Sequence, residues 1–134
     1  TLYKGYNGDS AYTFAVGEVD ADTRRLLDAT EKSLYLGIEQ AVAGKRIGDI
    51  GNAIQTYCEA QGLSVVREMV GHGMVLCIEP MINLGTRHIY LAPDNWGIKT
   101  EDGRKSAHFE MTVAVKHGKA DVLTTYEFIN DLKK

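Results

Sequence analysis

The hydrophobic pattern of this chain changes its period at Gly62, and this change limits the folds that are open to it. Before Gly62 the apolar residues recur every three or four positions, as in amphipathic helices. After Gly62 they alternate, or form short runs between Gly, Pro and Asp residues, as in strands. Because both kinds of element must bury an apolar face, we expect an α+β fold with two helices on one face of a largely antiparallel sheet.

The same pattern predicts where the elements lie. The first helix begins at Asp20 or Asp22, either of which can cap a helix, and it ends at Gly44. The second covers residues 47–61. One strand is predicted before the helices, over residues 9–17. Further strands are predicted after them, at 64–70, 74–82, 87–91, 95–99, 107–116 and 120–125, followed by a polar tail that we expect to fray.

Composition narrows the class of protein. With 134 residues, 44% of them apolar, and a formal charge of −3, we expect residues 1–134 to form a single domain that binds no nucleic acid. The apolar runs 74–78 and 111–115 are far shorter than a membrane span, and no secretory signal is evident. We therefore expect no membrane association and a cytoplasmic location. Cys58 and Cys77 are interpreted as reduced core residues.

Carboxylates inside apolar strands are the first indication of chemistry. Glu79 lies in the run MVLCIEPMINL, where a buried carboxylate must be protonated, be paired or bind a cation. Pairing with Arg67 or Arg87 would explain it without a metal ion. In SAHFEMTVAV, strand alternation places Glu110 on one face with His108, opposite the bulky apolar residues.

Two further residues complete a candidate metal site. Asp9 opens the first predicted strand, and His72 lies between two glycines. Together with the two glutamates they offer oxygen and nitrogen donors that suit manganese, iron, cobalt or zinc. The alternatives are that Asp9 is a turn residue and that His72 is an ordinary loop residue.

The motifs also resemble a known family. GYNGDSAYTFAVG, VGHG, CIEPMIN, DNWGIKTEDGRKSAHFEMTVAV and DVLTTYE are similar, in this order, to segments of type I methionine aminopeptidases. These are metallopeptidases of the pita-bread fold, and the resemblance covers nearly the whole chain. It implies the removal of N-terminal methionine from nascent proteins by a metal-activated water molecule, with two divalent ions (Co, Mn, Fe or Zn) in the site.

The resemblance assigns roles to five residues. Asp9 matches the aspartate that bridges the two ions, and His72 matches the histidine ligand. Glu79 and Glu110 match the two glutamate ligands, and Glu79 also matches the carboxylate that handles the proton of the attacking water. Trp96 matches a tryptophan at the edge of the methionine pocket.

Several features depart from the family pattern. Asn7 and Met111 stand where the family has histidines, and the family's first ligand aspartate and a catalytic histidine precede the segment that matches Thr1. A connection that follows Gly-His-Gly in the family is absent. The resemblance therefore implies an incomplete catalytic domain, for which a homodimer or a complementary N-terminal fragment would supply the remainder. Nascent peptide N-termini, and the ribosome, are the expected partners.

The missing connection affects the geometry that we expect. If residues 72–79 form one strand, seven steps of about 3.3 Å separate His72 from Glu79 by about 23 Å, which is too far for one ion. Three functional hypotheses follow. The chain is a methionine aminopeptidase that shortening has impaired, an inactive pita-bread fragment or engineered scaffold that serves as an association module, or a metal-free relative that binds peptides or ribosomal partners.

Overall fold

The computed structural model describes residues 2–67 and 75–131, which contain three helices and eleven short strands. In chain order these are β1 (Leu2–Tyr3), β2 (Tyr6–Asn7), β3 (Ser10–Ala11), α1 (Ala21–Gln40), α2 (Ile47–Ala60), β4 (Ser64–Val65), β5 (Leu76–Ile78), β6 (Met81–Asn83), β7 (Ile89–Leu91), β8 (Ile98–Thr100), β9 (Ser106–His108), β10 (Glu110–Ala114), β11 (Asp121–Val122) and α3 (Glu127–Asp131). Both long helices precede Gly62, as the change of period predicts.

The first long helix begins where the sequence predicts. Asp20 is its N-cap, and its Oδ1 accepts a hydrogen bond from the Thr23 N–H at 2.6 Å, which satisfies one of the unpaired donors of the first turn. The helix ends at Gln40, before the predicted end at Gly44. The intervening residues leave the helix because the Ala43 N–H donates instead to the carbonyl of Lys116.

Strand β10 is the centre of the main sheet. Met111 lies opposite Ile78 of β5 on one side and Ser10 of β3 on the other. Val113 and Ala114, at the C-terminal end of β10, pair with β11, which lies on the same side of β10 as β3. A second sheet has the order β4, β6, β9, and β7 pairs with β8. The ladders between these strands are antiparallel, which agrees with the predicted sheet type.

The core lies between the helices and these sheets. Helix α1 packs on α2 and contacts β5, β6, β9 and β10. The larger apolar side chains that are almost wholly buried include Leu26, Leu34, Ile82, Phe109 and Val113. Burial of a side chain of this size stabilises the fold by roughly 1.5–3 kcal/mol. The apolar face of the helices therefore packs against the apolar face of the sheets, as the hydrophobic pattern predicts.

Several predicted boundaries are wrong. Only Ser10–Ala11 of the predicted strand 9–17 is paired, and the predicted strands 74–82 and 107–116 are each interrupted once. The C-terminal tail does not fray throughout: residues 127–131 form α3, and Ile129 packs against the core. Tyr126, which is 3% exposed, anchors this helix to the sheet.

Within the described ranges, no helix combines the length and the apolarity that are needed to span a bilayer.

Candidate metal centre

The site forms where two long strands are interrupted at the same level. The chain from β5 to β6 breaks at Glu79 and Pro80, and the chain from β9 to β10 breaks at Phe109. The Phe109 N–H still points to the Pro80 carbonyl, at a long 3.5 Å. Because proline has no N–H, this position cannot complete the ladder.

The register is the same on both sides of the interruption. Ile78 lies opposite Met111, and Met81 lies opposite His108, so Glu79 falls opposite Glu110. The Phe109 side chain is buried in the core. Since successive strand residues point to opposite faces, its neighbours in the chain point away from the core, toward the face that carries Glu79.

Three side chains converge on this face. Glu79, His108 and Glu110 each offer one donor atom, and these atoms lie within 4.8 Å of one another. His108 Nε2 lies 3.6 Å from Glu79 Oε2. Glu110 is 6% exposed, whereas the side chains of His108 and Glu79 are 37% and 26% exposed. The group therefore has one buried member and two that reach solvent.

The side chain of His108 reaches solvent, but not through its Nε2 atom. Its Nε2 atom is shielded from solvent and has no hydrogen-bond partner among the described residues. Burial lowers the pKa of His108, while the negative charges of Glu79 and Asp9 raise it by a smaller amount. The neutral imidazole is therefore the form present at neutral pH, which leaves one ring nitrogen able to act as an electron-pair donor.

Hydroxyl groups fix the backbone at two members of the group. The Thr13 hydroxyl accepts from the His108 N–H at 2.9 Å and donates to the His108 carbonyl at 2.7 Å. The Tyr126 hydroxyl accepts from the Glu110 N–H at 2.9 Å, and it lies 2.7 Å from the Glu110 carbonyl and 2.8 Å from that of Ala11. These hydrogen bonds fix the backbone of His108 and of Glu110 before a metal ion binds.

Asp9 lies beside the group rather than within it. The Thr112 hydroxyl donates to the Asp9 carbonyl at 2.7 Å and accepts from its N–H at 3.0 Å, so its backbone is held two residues along β10 from Glu110. Its exposed carboxylate accepts from the Ser10 N–H at 3.1 Å. Asp9 is close enough to affect the pKa of His108, but it is not one of the three residues whose donor atoms lie within 4.8 Å of one another.

Two predicted site residues remain, His72 and Trp96. His72 falls outside the described residues. Trp96 is in the turn between β7 and β8, where its N–H donates to Asp94 Oδ1 at 2.9 Å, and it is 89% exposed. Arg67 contacts Glu59 at 3.3 Å, and Glu79 Oε2 lies 3.6 Å from His108 Nε2.

Two residues on the face of the site were not predicted to belong to it. The alternation in SAHFEMTVAV places His108 beside Glu110, but the nitrogen ligand was assigned to His72 by resemblance. Cys77 was interpreted as a core residue, like the buried Cys58. Instead it is half-buried, and its Sγ lies 3.7 Å from Thr112 Oγ1. Burial, and to a lesser degree the charges of Glu110 and Asp9, raise the pKa of its thiol.

The donor set fits a divalent ion. Two carboxylates and one imidazole are hard and intermediate ligands of the kind that hold zinc, cobalt, iron or manganese in proteins. The Nε2 atom without a hydrogen-bond partner is the observation that favours a ligand over a simple polar cluster, because buried polar atoms are rarely left unsatisfied.

Sequence comparisons point to the same chemistry. A family model described as "Metallopeptidase family M24" matches residues 1–117. The chain is 43% identical to methionine aminopeptidase 1 of Bacillus subtilis, over 90% of this chain and 59% of the relative. It is 42% identical to methionine aminopeptidase B of Synechocystis, over 90% of this chain and 53% of the relative.

Solved structures agree with this comparison. The methionine aminopeptidase of Thermotoga maritima has a TM-score of 0.89 and 32% identity, over 92% of this chain and 60% of that one. The enzyme of Rickettsia prowazekii has a TM-score of 0.84 and 32% identity, over 88% and 58%. The predicted pita-bread fold is confirmed.

The extent of the matches is informative. The match to the Bacillus relative extends over 146 residues, more than the 134 of this chain, so that relative has internal residues without a counterpart here. The deletion after Gly-His-Gly stays a prediction. The chain spans between about half and three fifths of the length of these relatives. The family match, the shared fold and the convergence of Glu79 and Glu110 agree: the chain belongs to metallopeptidase family M24, whose members use divalent metal ions.

Proposed function

We propose that this protein is a metal-dependent aminopeptidase that removes methionine from the N-termini of nascent proteins. The observation that carries the proposal is the convergence of two carboxylates, Glu79 and Glu110, across an interrupted pair of strands in a member of this metallopeptidase family. The named relatives, which are methionine aminopeptidases, supply the substrate class. The fold alone would not supply it, since one fold hosts many chemistries.

The proposed metal ligands are Asp9, His72, Glu79 and Glu110. The family precedent favours two divalent ions, drawn from cobalt, manganese, iron and zinc. Bound in this site, they would act as Lewis acids that activate water and polarise the scissile carbonyl. The position of Asp9 at the rim, with its backbone held by Thr112, supports a role between the two ions.

The protein side chains perform the remaining steps. Glu79 is the proposed general base, which takes the proton of the attacking water and returns it to the leaving amine. Its partial exposure supports this role, because a proton carrier must reach both the water and the substrate. Glu110 is more deeply buried and is held by Tyr126, which suits a fixed ligand. Trp96 is proposed at the edge of the methionine pocket, where an exposed ring can cover an apolar side chain.

The assembly is also part of the proposal. Residues 1–134 are proposed to form a single, incomplete catalytic domain that is completed by a second copy of the chain or by a complementary N-terminal fragment. The partial coverage of the relatives supports this. The cytoplasm is the proposed location, because nascent peptide N-termini, and possible contacts with the ribosome, occur there.

Release of free methionine from a Met-Ala-Ser peptide tests the proposal. Purified protein loaded with Mn²⁺ or Co²⁺ is expected to release methionine, as measured by chromatography. Glu79→Gln should reduce the rate by about 10²- to 10⁴-fold, which is the range typical of general acid–base catalysis. Glu110→Gln should also reduce it, through loss of metal. Glu39→Gln, the same chemical change on the exposed surface of α1, is the matched control and should leave the rate unchanged.

Two outcomes would contradict the proposal. Equal release by the wild type and Glu79→Gln would assign the activity to a contaminant. No release by the metal-loaded protein would favour the alternative, an inactive pita-bread fragment that serves as an association module. In that case size-exclusion chromatography should show a dimer.

A further inference from the structure

We propose that His108 supplies the nitrogen ligand to the divalent ion that Glu79 and Glu110 hold. The inference rests on the metal dependence in the proposed function and goes beyond it, because the resemblance to the family assigns the nitrogen to His72. Together with Glu79 and Glu110, His108 would give this ion two oxygen donors and one nitrogen donor. The site would be built from two strands that flank one interruption.

Pairing between the described strands brings these three side chains together. His108 and Glu110 flank the buried Phe109, so both point to the face opposite the core. The matched register places Glu79 opposite Glu110. The donor atoms consequently lie within 4.8 Å of one another.

The distance between His108 and Glu79 distinguishes a shared ion from a direct hydrogen bond. A direct N–H to oxygen hydrogen bond spans about 2.7–3.2 Å, and the measured 3.6 Å is longer. Two ligands that each lie about 2.1 Å from one ion are about 3.4 Å apart at a tetrahedral angle. The measured separation is therefore close to that of two ligands of one ion.

The unsatisfied ring nitrogen gives an independent reason. His108 Nε2 is shielded from solvent and lacks a hydrogen-bond partner within the described ranges. A shielded polar atom without a partner is destabilising, whereas a divalent ion at this position would satisfy it. The Thr13 hydroxyl holds the backbone of His108 through two hydrogen bonds, so that the ring is presented from a fixed point.

A nitrogen donor also has a consequence for metal selection. Sites with oxygen donors alone favour magnesium, calcium or manganese, whereas an imidazole shifts the preference toward zinc and cobalt. If His108 is a ligand, its removal should lower the affinity for Zn²⁺ more than the affinity for Mn²⁺. A merely structural role for His108 would lower both equally.

The first test uses the wild-type protein, so it does not depend on a variant that folds. Protein labelled with ¹⁵N at histidine is freed of metal and titrated with Zn²⁺ while the ring nitrogens are observed by NMR. The Nε2 resonance of His108, assigned through its loss in His108→Gln, is expected to move to a metal-bound position. The resonances of His88 and His117, which are exposed, should stay in place.

The second test compares variants by calorimetry. His108→Ala is expected to weaken Zn²⁺ binding by on the order of 100-fold, at least the effect of losing a residue that only supports a ligand. His117→Ala is the matched control and should bind like the wild type. Circular dichroism of each variant confirms that the fold is intact.

The outcomes separate this inference from the proposed function. Zn²⁺ binding that depends on Glu79 and Glu110, together with an unmoved His108 resonance, would overturn the inference and leave the metal-dependent function standing. Absence of any Zn²⁺ binding would overturn both. Movement of the His108 resonance, with a larger loss of Zn²⁺ than of Mn²⁺ affinity in His108→Ala, is the result that we expect.

Discussion

The hydroxyl of Tyr126 bonds to the backbone of Glu110 on both sides of the residue, accepting from its N–H at 2.9 Å and lying 2.7 Å from its carbonyl. One aromatic side chain from the C-terminal region thus fixes the most buried carboxylate of the candidate metal centre. The same ring packs edge-on against Tyr12, with ring centroids 4.9 Å apart. The stability of the fold and the position of the ligand therefore depend on the same residue.

Removal of this hydroxyl should destabilise the protein. Tyr126→Phe keeps the ring but leaves the Glu110 N–H without its partner, so we expect a loss of about 1–3 kcal/mol in the free energy of unfolding. Urea denaturation measures this. Tyr90→Phe, the same change on an exposed strand residue, should fall within about 0.5 kcal/mol of the wild type. Equal stabilities of the two variants would contradict the role assigned to Tyr126.

The free energy of unfolding should depend on pH through the ionisation of the Tyr126 hydroxyl. Burial raises the pKa of Tyr126 well above its usual value near 10. The unfolded chain then loses its phenolic proton at a lower pH than the folded protein, so this contribution to stability is fully present below about pH 10 and decreases as pH rises further. Urea midpoints measured between pH 8 and pH 11 should fall more steeply for the wild type than for Tyr126→Phe. Identical slopes would contradict this.

The contact between the long helices should not tolerate a larger residue at Gly37. An alanine Cβ at this position would lie 2.9 Å from Ile54 Cδ1 and 3.3 Å from Ile78 Cγ2. Overpacking of this kind costs about 1–3 kcal/mol, and the better helix propensity of alanine offsets about 1 kcal/mol of it. We therefore expect Gly37→Ala to lower the thermal unfolding midpoint.

The control for this prediction is Gly48 in α2, where an added Cβ meets no atom within 4 Å. Gly48→Ala should raise stability by up to about 1 kcal/mol through helix propensity alone. A stabilising Gly37→Ala would show that Ile54 moves aside without loss, and would contradict the packing argument.

Metal should stabilise the protein through its carboxylates. A ligand that binds only the folded state, present at about 100 times its dissociation constant, adds about 2.7 kcal/mol to the free energy of unfolding. Mn²⁺ should therefore raise the unfolding midpoint of the wild type, and a chelator should reverse the effect. Glu110→Gln should remove most of this response, whereas Glu39→Gln should keep it. A response that survives in Glu110→Gln would place the ion elsewhere.

The helices and the sheet type could be predicted from the sequence because they depend on local patterns. The cap at Asp20, the period of the apolar residues before Gly62 and the alternation after it act over a few neighbouring residues. The ends of the strands depend instead on pairing between distant segments. The sequence therefore predicted one strand at 107–116, where pairing produces two strands separated by Phe109.

The candidate site was predictable in part for the same reason. A carboxylate in an apolar run identifies Glu79, and alternation places His108 and Glu110 on one face. Pro80 marks one interruption in the sequence, but neither segment alone shows that the two interruptions lie opposite each other. The resemblance therefore assigns the nitrogen ligand to His72. The separation of about 23 Å expected between His72 and Glu79, at about 3.3 Å for each strand residue, does not apply to Glu79, His108 and Glu110.

The shared register around Pro80 and Phe109 makes the length of the chain at this point critical. Side chains alternate between faces, so the loss of one residue at the interruption, with the flanking ladders kept in register, would rotate Glu79 toward the helices. Length changes elsewhere leave both ladders in place. Natural insertions and engineered grafts should accordingly be found or tolerated before Leu76 and after Asn83, and be selected against between them.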